Sequence, residues 1–534
     1  MLIIALVILT IIVVCYWYLV APLSHWEKRG IPYVKGYPIV GNFFWHAIKK
    51  TSLGDDLITL YNAYPEKKCY GMFLFGKPAI LVRDLDLIKN VLIKNFDHFG
   101  DHSDSIFLDG INPVIDRNLF SLKGNEWRDM RATLSPAFTG NKMRGMFHLM
   151  ADVGENFVNF FINEAKNNGG KPLNVELKDI ITRLTNDIIA TTAFGIKIDS
   201  LRDRNNDFYR MGGKVSNFST WRWLLCNFLP HVARFLRIGL IPNEPIDYLR
   251  KIALETINTR ERENIYRPDM LQLLIEAKTG SLKQTDTIEE INKGFAAVEE
   301  SKIVQTNKKI HLGEDDLAAQ AFVFFLAGFE SVSTSLCFAL YELALNPDIQ
   351  ERLYKENEKV LNENNKKLTY DVLNKMKYLD MIMSESLRKW SQASFLDRMC
   401  IKPYTVEVED GKEITIEKGT VLFFPAWALL RSPEYFPNPD KFDPERFSDE
   451  NKDNINPITY LPFGGGPRNC IGSRFALMEA KMAIFYMVKY FELIPNEKSM
   501  IPPKVTTKSA NTTLENGFHV ALKLREHCDI KLQK

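Results

Sequence analysis

The sequence predicts a mainly α-helical protein with a small β region, tethered at its N-terminus by one membrane-spanning helix. Three observations carry that reading. Residues 1–20 (MLIIALVILTIIVVCYWYLV) contain no charged side chain. After residue 140, long stretches place apolar residues at i, i+3, i+4 and i+7, the spacing that makes one face of a helix apolar. Runs with alternating or β-branched character are short and few.

About 20 apolar residues cross the core of a bilayer as a helix. Tyr16, Trp17 and Tyr18 suit its interface, and Lys28 and Arg29 follow with no lysine or arginine before them. The positive-inside rule then leaves the bulk of the chain in the cytosol. A cleaved signal peptide fits less well, because a basic n-region and an A-x-A-like site are lacking. Residues 1–22 read as the anchor. Residues 31–38 (IPYVKGYP) carry two prolines and read as a stiff, non-helical spacer within a hinge, 23–40. Residues 41–534 read as one large catalytic domain.

A β-hairpin is expected over 73–82, turned at Gly76-Lys77-Pro78. Helices are expected at 141–166, 178–195, 245–260, 268–278, 349–362 and 369–389. A longer one is expected over 314–346, begun by Glu314 and Asp315 and stopped by Pro347. Short strands are expected at 404–408, 413–416 and 517–524. Residues 278–312 are polar and read as a surface connection, and 362–367 as a solvated loop. Residues 221–241 (WRWLLCNFLPHVARFLRIGLI) fit either a core segment or an interfacial one, since Arg222, Arg234 and Arg237 interrupt the apolar run.

The chain is 46% hydrophobic and 25% charged, with 35 phenylalanines, enough for a large apolar core. A net charge of +2 and the lack of a basic-aromatic array point away from nucleic acid. Seven scattered cysteines, an odd number, argue for a reducing compartment rather than a disulfide framework.

Residues 463–472 (FGGGPRNCIG) place Cys470 in a glycine-rich loop just before a helical pattern that begins at Ser473. Glycines let a backbone curl tightly against a flat cofactor. A helix N-terminus favours a thiolate over a thiol. Such a cysteine can ligate haem iron, with Arg468 reaching a propionate and Phe463 covering the thiolate face. A lone cysteine is usually just a small buried apolar residue. Here Phe463, Gly466, Arg468, Cys470 and Gly472 match FxxGxRxCxG together.

That pattern resembles the haem-binding signature of the cytochrome P-450 superfamily, whose cysteine ligand pushes electron density toward iron and favours O–O cleavage. Three further motifs extend the resemblance in order along the chain. Glu385-Ser386-Leu387-Arg388 and Phe442-Asp443-Pro444-Glu445-Arg446-Phe447 resemble the ExxR and PERF elements. They imply a buried network of Glu385, Arg388 and Arg446 behind the haem. Ala327-Gly328-Phe329-Glu330-Ser331 resembles the oxygen-binding stretch of the distal helix. Ser331, one turn after Ala327, is expected to back-bond, bend the helix and relay protons with Glu330. The family usually has threonine where this chain has Ser331. Trp127 and Arg131 match a WxxxR pair, and Arg398 another arginine, that contact haem propionates. Ser391-Gln392-Ala393-Ser394 stands where the family often has two prolines.

The resemblance implies a triangular, mainly helical fold, with haem b as cofactor. It implies insertion of one oxygen atom from O2 into a lipophilic small molecule. Electrons come from NADPH, only indirectly, through a flavoprotein reductase, with a cytochrome b-type protein as a further donor. The reductase is acidic, so a basic face of Arg128, Arg474 and Lys481 is expected to dock it. Residues 125–139 and 442–447 look closest to insect microsomal members that act on xenobiotics such as plant toxins or insecticides. That placement implies the endoplasmic reticulum membrane, contact with membrane lipid, and a lid role for 221–241. Pocket residues are expected at 105–114, 322–330, 393–396 and 511–515. The alternatives are a dedicated endogenous lipid or hormone hydroxylase, a haem-thiolate isomerase and a non-catalytic haem binder. An isomerase has no need of the Ser331 hydroxyl.

Overall fold

The computed structural model describes residues 1–103, 108–217, 219–282, 294–298, 310–409, 412–509 and 511–526. Helix Leu2–Cys15 continues through a π-helical turn, Tyr16–Val20, into a rod that ends at Lys28. It is 27 residues long, its most apolar 18-residue window has a mean hydropathy of 2.8 and none of that window is buried, so it is long and apolar enough to cross a membrane. Helix Glu314–Leu345 passes the same length and hydropathy test, but 67% of its apolar window is buried inside the protein. It is the central core helix, packed by Leu177–Ala193, Asn243–Glu263, Lys377–Lys389 and Ser473–Tyr490.

Local chemistry sets the ends of these helices. Glu314, Asp315 and Asp316 fill the first turn of the central helix, where the dipole favours acidic groups. Asp316 accepts the Gly313 N–H at 2.9 Å and also holds Arg117 Nε at 2.7 Å. The expected helices at 141–166, 178–195, 245–260, 268–278 and 349–362 appear as Gly140–Asn167, Leu177–Ala193, Asn243–Glu263, Met270–Lys278 and Pro347–Glu363. The expected single helix over 369–389 is two, Tyr370–Lys375 and Lys377–Lys389, broken at Met376 with ψ 96°. The break has a tertiary cause. Glu356, from a different helix, accepts the N–H groups of Tyr378 and Leu379 at 2.8 and 3.0 Å and so caps a fresh N-terminus.

Strands β1 (Cys69–Leu74) and β2 (Lys77–Val82) form the expected hairpin. Its turn is Phe75-Gly76, both with positive φ (50° and 76°), and not the expected Gly76-Lys77-Pro78. A two-residue turn with φ > 0 at both positions matches the twist of paired strands. β2 also pairs in parallel with β7 (Val421–Phe424), which pairs antiparallel with β4 (Leu396–Met399). β5 (Tyr404–Glu409) and β6 (Lys412–Ile416) make a separate hairpin. β9 (His519–Leu524) joins β3 (Leu173–Glu176) to β8 (Phe491–Ile494).

The spacer 31–38 is non-helical and pinned to β1, whereas residues 23–28, the start of the expected hinge, belong to the helical rod. Val34 N–H donates to Gly71 O at 2.9 Å and Gly71 N–H to Pro32 O at 2.8 Å. Residues 221–241 form helices Thr220–Phe228 and Pro230–Phe235, with Cys226 and Ala233 buried. Their other face is exposed: Trp221 at 54%, Leu229 at 54% and Phe235 at 86%. The anchor reaches this face, since Tyr18 Oη donates to Phe228 O at 3.0 Å. Within the connection 278–312, residues 294–298 depart from the surface reading, because Ala296 is buried. Residues 283–293 and 299–309 lie outside the described residues. The six described cysteines are all free.

Candidate active site

A cavity of about 500 Å³ lies between the central helix and the cysteine loop, within the size range of small-molecule sites. Ala327, Gly328 and Ser331 form one wall, a stripe at helical spacing. Phe463, Arg468 and Cys470 form the facing wall, and Trp127, Arg131 and Arg398 line one edge. Residues from four distant parts of the chain thus meet at one site.

The cysteine loop depends on glycine. Gly464 and Gly466 have φ of 74° and 71°. A Cβ on Gly466 would stand 1.9 Å from Leu92 O, so no other residue fits. The turn is closed by Asn469 N–H donating to Gly466 O at 3.0 Å and Cys470 N–H donating to Phe463 O at 2.9 Å. Helix Ser473–Tyr490 follows directly. The expectation that this helix start lowers the Cys470 pKa needs correction. Cys470 opens onto the cavity, yet the surrounding protein desolvates its thiol and pushes the pKa up, outweighing the opposing Gly472 N–H and the charge of Arg131. Ionisation of Cys470 therefore calls for a cation at bonding distance, and a coordinated thiol is deprotonated outright.

The edge of the cavity is strongly cationic. Arg468 donates to Gly100 O at 2.8 Å and to Asp101 Oδ1 at 3.0 Å, and its guanidinium lies 4.1 Å from the Trp127 ring centroid. Arg398 donates to Asp397 O at 2.7 Å and Gly465 O at 3.2 Å. Arg131 bonds Asn469 through O and Oδ1, each at 2.8 Å. Burial lowers the pKa of Arg468 to about 9 and of Arg398 to about 10. Arg468 Nη1 and Arg398 Nε are buried without a hydrogen-bond partner. An unmade bond at a buried donor costs about 1–3 kcal/mol, and more when the group is charged. These donors fit an anionic group at this edge. A haem, with propionates here and iron at Cys470, satisfies both the orphaned donors and the thiol.

Glu385 and Arg388 lie behind the cavity, fully buried. Arg388 Nε and Nη2 donate to the two Glu385 oxygens at 2.7 and 2.9 Å, a two-pronged pair. Arg388 Nη1 donates to Leu430 O at 2.9 Å, and Asp443 N–H donates to Glu385 Oε1 at 2.9 Å. Arg446 Nε is 3.6 Å from Glu385 Oε1 and its Nη2 bonds Pro437 O at 2.6 Å. The three motif residues thus converge on one carboxylate.

Glu330 and Ser331 do not converge. Ser331 lines the cavity and donates to Ala327 O, within an unbroken helix. Glu330 is absent from the lining and pairs with Lys178 at 2.8 Å. Of the expected docking cations, Arg128 pairs with Asp97 and Arg474 is half-buried. Lys481 is 3% exposed and paired with Asp380 at 2.5 Å, so it offers no surface charge. Of the expected pocket segments, 322–330 and 393–396 contribute lining residues, whereas 108–114 and 511–515 do not. Residues 105–107 lie outside the described residues.

His102 was missed by sequence reasoning. It lines the cavity, stacks on Phe120 with centroids 4.7 Å apart, and shares a hydrogen with Asp397 Oδ1 at 2.8 Å. Burial lowers the His102 pKa, against the opposing pull of its hydrogen bond to Asp397. Histidine beside two acidic residues in a loop sequence carries no motif; only the pairing with β4 reveals it.

Residues 31–520 match the model of the family described as Cytochrome P450. The chain is 42% identical over 528 residues to cytochrome P450 9e2 of Blattella germanica, covering 95% of this chain and 96% of that protein. It is 39% identical over 506 residues to probable cytochrome P450 9f2 of Drosophila melanogaster, covering 93% and 94%. It is 37% identical over 526 residues to cytochrome P450 6k1 of Blattella germanica, covering 96% of each.

Proposed function

This chain belongs to the cytochrome P450 family of haem-dependent monooxygenases, and on that footing we propose that it oxidises lipophilic xenobiotics such as plant toxins or insecticides. The observation that carries this reading is the cavity itself, with the Cys470 thiol on one wall, the Ala327–Ser331 stripe opposite and orphaned guanidinium donors at the edge. Haem b, the cofactor of the family, supplies O2 activation and transfer of one oxygen atom when bound.

The residues divide the remaining work. Cys470 would ligate the iron, and the glycines of its loop would let the backbone approach. Arg131, Arg398 and Arg468, with Trp127, would hold the acidic edge of the cofactor. Phe463 would shield the thiolate from water. Ser331 Oγ gives its own hydrogen to Ala327 O and accepts from water on the cavity side, so it positions the water through which protons pass. Glu330, held by Lys178, steadies the helix rather than sharing that transfer. Glu385, Arg388 and Arg446 brace the loop from behind. The mostly apolar lining selects by size, which discriminates weakly at about 1–3 kcal/mol per methylene and suits a broad substrate range.

Residues 1–22 anchor the protein in the endoplasmic reticulum membrane, 23–40 form the hinge and 41–534 the cytosolic catalytic domain. The exposed apolar face of 221–236, reached by the end of the anchor, is a second membrane contact. Electrons arrive from NADPH through a flavoprotein reductase, assisted by a cytochrome b-type donor. Arg128 and Arg474 contribute to the docking face.

The test is the absorption spectrum of the ferrous–CO complex of the membrane-bound protein. A Soret band shifted strongly to the red supports the thiolate ligand. An unshifted band, or none, overturns the reading. Product formation with reductase and NADPH then identifies the substrate class.

A further inference from the structure

Within the connection between helices Met270–Lys278 and Glu314–Leu345, residues 294–298 are seated in a slot of the protein. The Phe295 ring meets Phe447 at 5.0 Å and Tyr460 at 5.2 Å, both edge-on. Those two rings contact each other at 5.3 Å. The Phe295 N–H donates to Asp380 Oδ2 at 2.9 Å. The other Asp380 oxygen holds Lys481 Nζ at 2.5 Å. Gly294 has φ 75°, and a Cβ on it would stand 2.2 Å from Asp380 Oδ1 and 3.1 Å from Lys481 Nζ. Ala296 is 3% exposed. A ring, a backbone donor, a glycine and a buried methyl thus fit one slot.

The slot is built from the scaffold behind the cysteine. Asp380 sits on helix Lys377–Lys389, which carries Glu385 and Arg388. Phe447 adjoins Arg446 in the turn Pro444–Phe447. Tyr460 Oη donates to Ser384 O at 2.9 Å, one residue before Glu385. Lys481 is on helix Ser473–Tyr490, which begins just after Cys470. The segment touches all four.

We propose that residues 294–298 are an internal clamp that holds the Glu385–Arg388–Arg446 network against the cysteine helix and so keeps Cys470 positioned as an iron ligand. The inference rests on the haem-thiolate reading above. Phe295 is a positioning residue: it acts through Phe447, Tyr460 and Asp380 and does not line the cavity. Gly294 is required because the chain must pass against the Asp380–Lys481 pair where a side chain cannot fit.

The test uses the full-length, haem-loaded protein with Phe295→Ala, Gly294→Ala and the ring-preserving Phe295→Tyr. Two readouts are followed: conversion of the red-shifted ferrous–CO band to the unshifted form on mild warming, and acetylation of Lys481 by an amine-reactive reagent, located by mass spectrometry. Conversion is expected to be about fivefold faster or more in Phe295→Ala, the size of effect that loss of a packed aromatic pair produces. Gly294→Ala is expected to behave alike, and Phe295→Tyr to return toward wild type. Lys481 is expected to be protected in the wild type and labelled in Phe295→Ala and Gly294→Ala. Should Phe295→Ala fail to accumulate, Phe295→Leu, which keeps apolar bulk without the ring, gives the same comparison. Wild-type conversion and protection in both disrupting variants overturn the clamp while leaving the haem-thiolate reading intact. A wild-type protein without the red-shifted band removes that reading and the clamp with it.

Discussion

Glu330 and Ser331 are neighbours in the chain that face different surroundings. Glu330 Oε1 lies 2.8 Å from Lys178 Nζ, which also donates to Ser333 Oγ at 2.8 Å and Thr334 Oγ1 at 2.7 Å. Ser331 opens onto the cavity. Ser331→Ala is expected to lower the yield of product per NADPH about tenfold or more, since a positioned proton-transfer group contributes about 10²–10⁴-fold. Glu330→Gln is expected to act mainly on stability, by at most about 1 kcal/mol, because the pair is partly exposed. Coupling ratios and thermal midpoints of both variants check this; a larger coupling loss in Glu330→Gln contradicts the assignment.

Gly466→Ala tests the loop. The added methyl meets Leu92 O at 1.9 Å, and the φ of 71° adds roughly 1–2 kcal/mol for a residue with a Cβ. Haem bound per protein is expected to fall about tenfold, read by pyridine haemochrome against protein content.

Glu385→Ala leaves the Arg388 guanidinium buried and unpaired. Breaking such a pair costs about 3–5 kcal/mol. The variant is expected to lose haem incorporation; one that binds haem normally contradicts the bracing role.

The Asp397–His102 pair sets an acid limb on stability. Burial, the largest influence, pushes Asp397 up, yet the hydrogen bond and charge of His102 and the Ser103 N–H together hold it at about 2. Its folded value lies below the ordinary 3.8, so it contributes stability that is present above pH 3.8 and lost as pH falls toward 2. Burial lowers His102 below 6.5, so its contribution is likewise lost on acidification, beginning below pH 6.5. Asp397→Asn is expected to lower stability at pH 7 by about 2 kcal/mol and to flatten the fall in thermal midpoint between about pH 4 and 2.

Removal of residues 1–28 is expected to leave liposome binding that depends on Trp221 and Phe235. Trp221→Asp with Phe235→Asp is expected to weaken cosedimentation about tenfold or more, since burying one such side chain contributes about 1.5–3 kcal/mol. Binding of the shortened protein that survives both changes excludes this face as the contact.

Much of the fold was legible. Helical periodicity located the long helices because each buries one face, and the boundary signals at Glu314, Pro347 and Ser473 were local. Four short strands, β3, β4, β7 and β8, escaped detection, since four residues paired to distant partners carry almost no periodic signal. The break at Met376 escaped because its cap, Glu356, comes from another helix.

The sequence by itself determined the cysteine loop, the ExxR and PERF residues, the cationic edge and the apolar N-terminal helix. Each is a short local motif, and the roles of the ExxR, PERF and cationic-edge residues are what their resemblance to the family implies. Tertiary structure alone decided which way side chains face and what covers them. It turned Glu330 to Lys178, brought His102 to the cavity and buried Lys481 beside Asp380 and Gly294. Facing and desolvation depend on neighbours supplied from elsewhere in the chain, and no spacing within a segment encodes them.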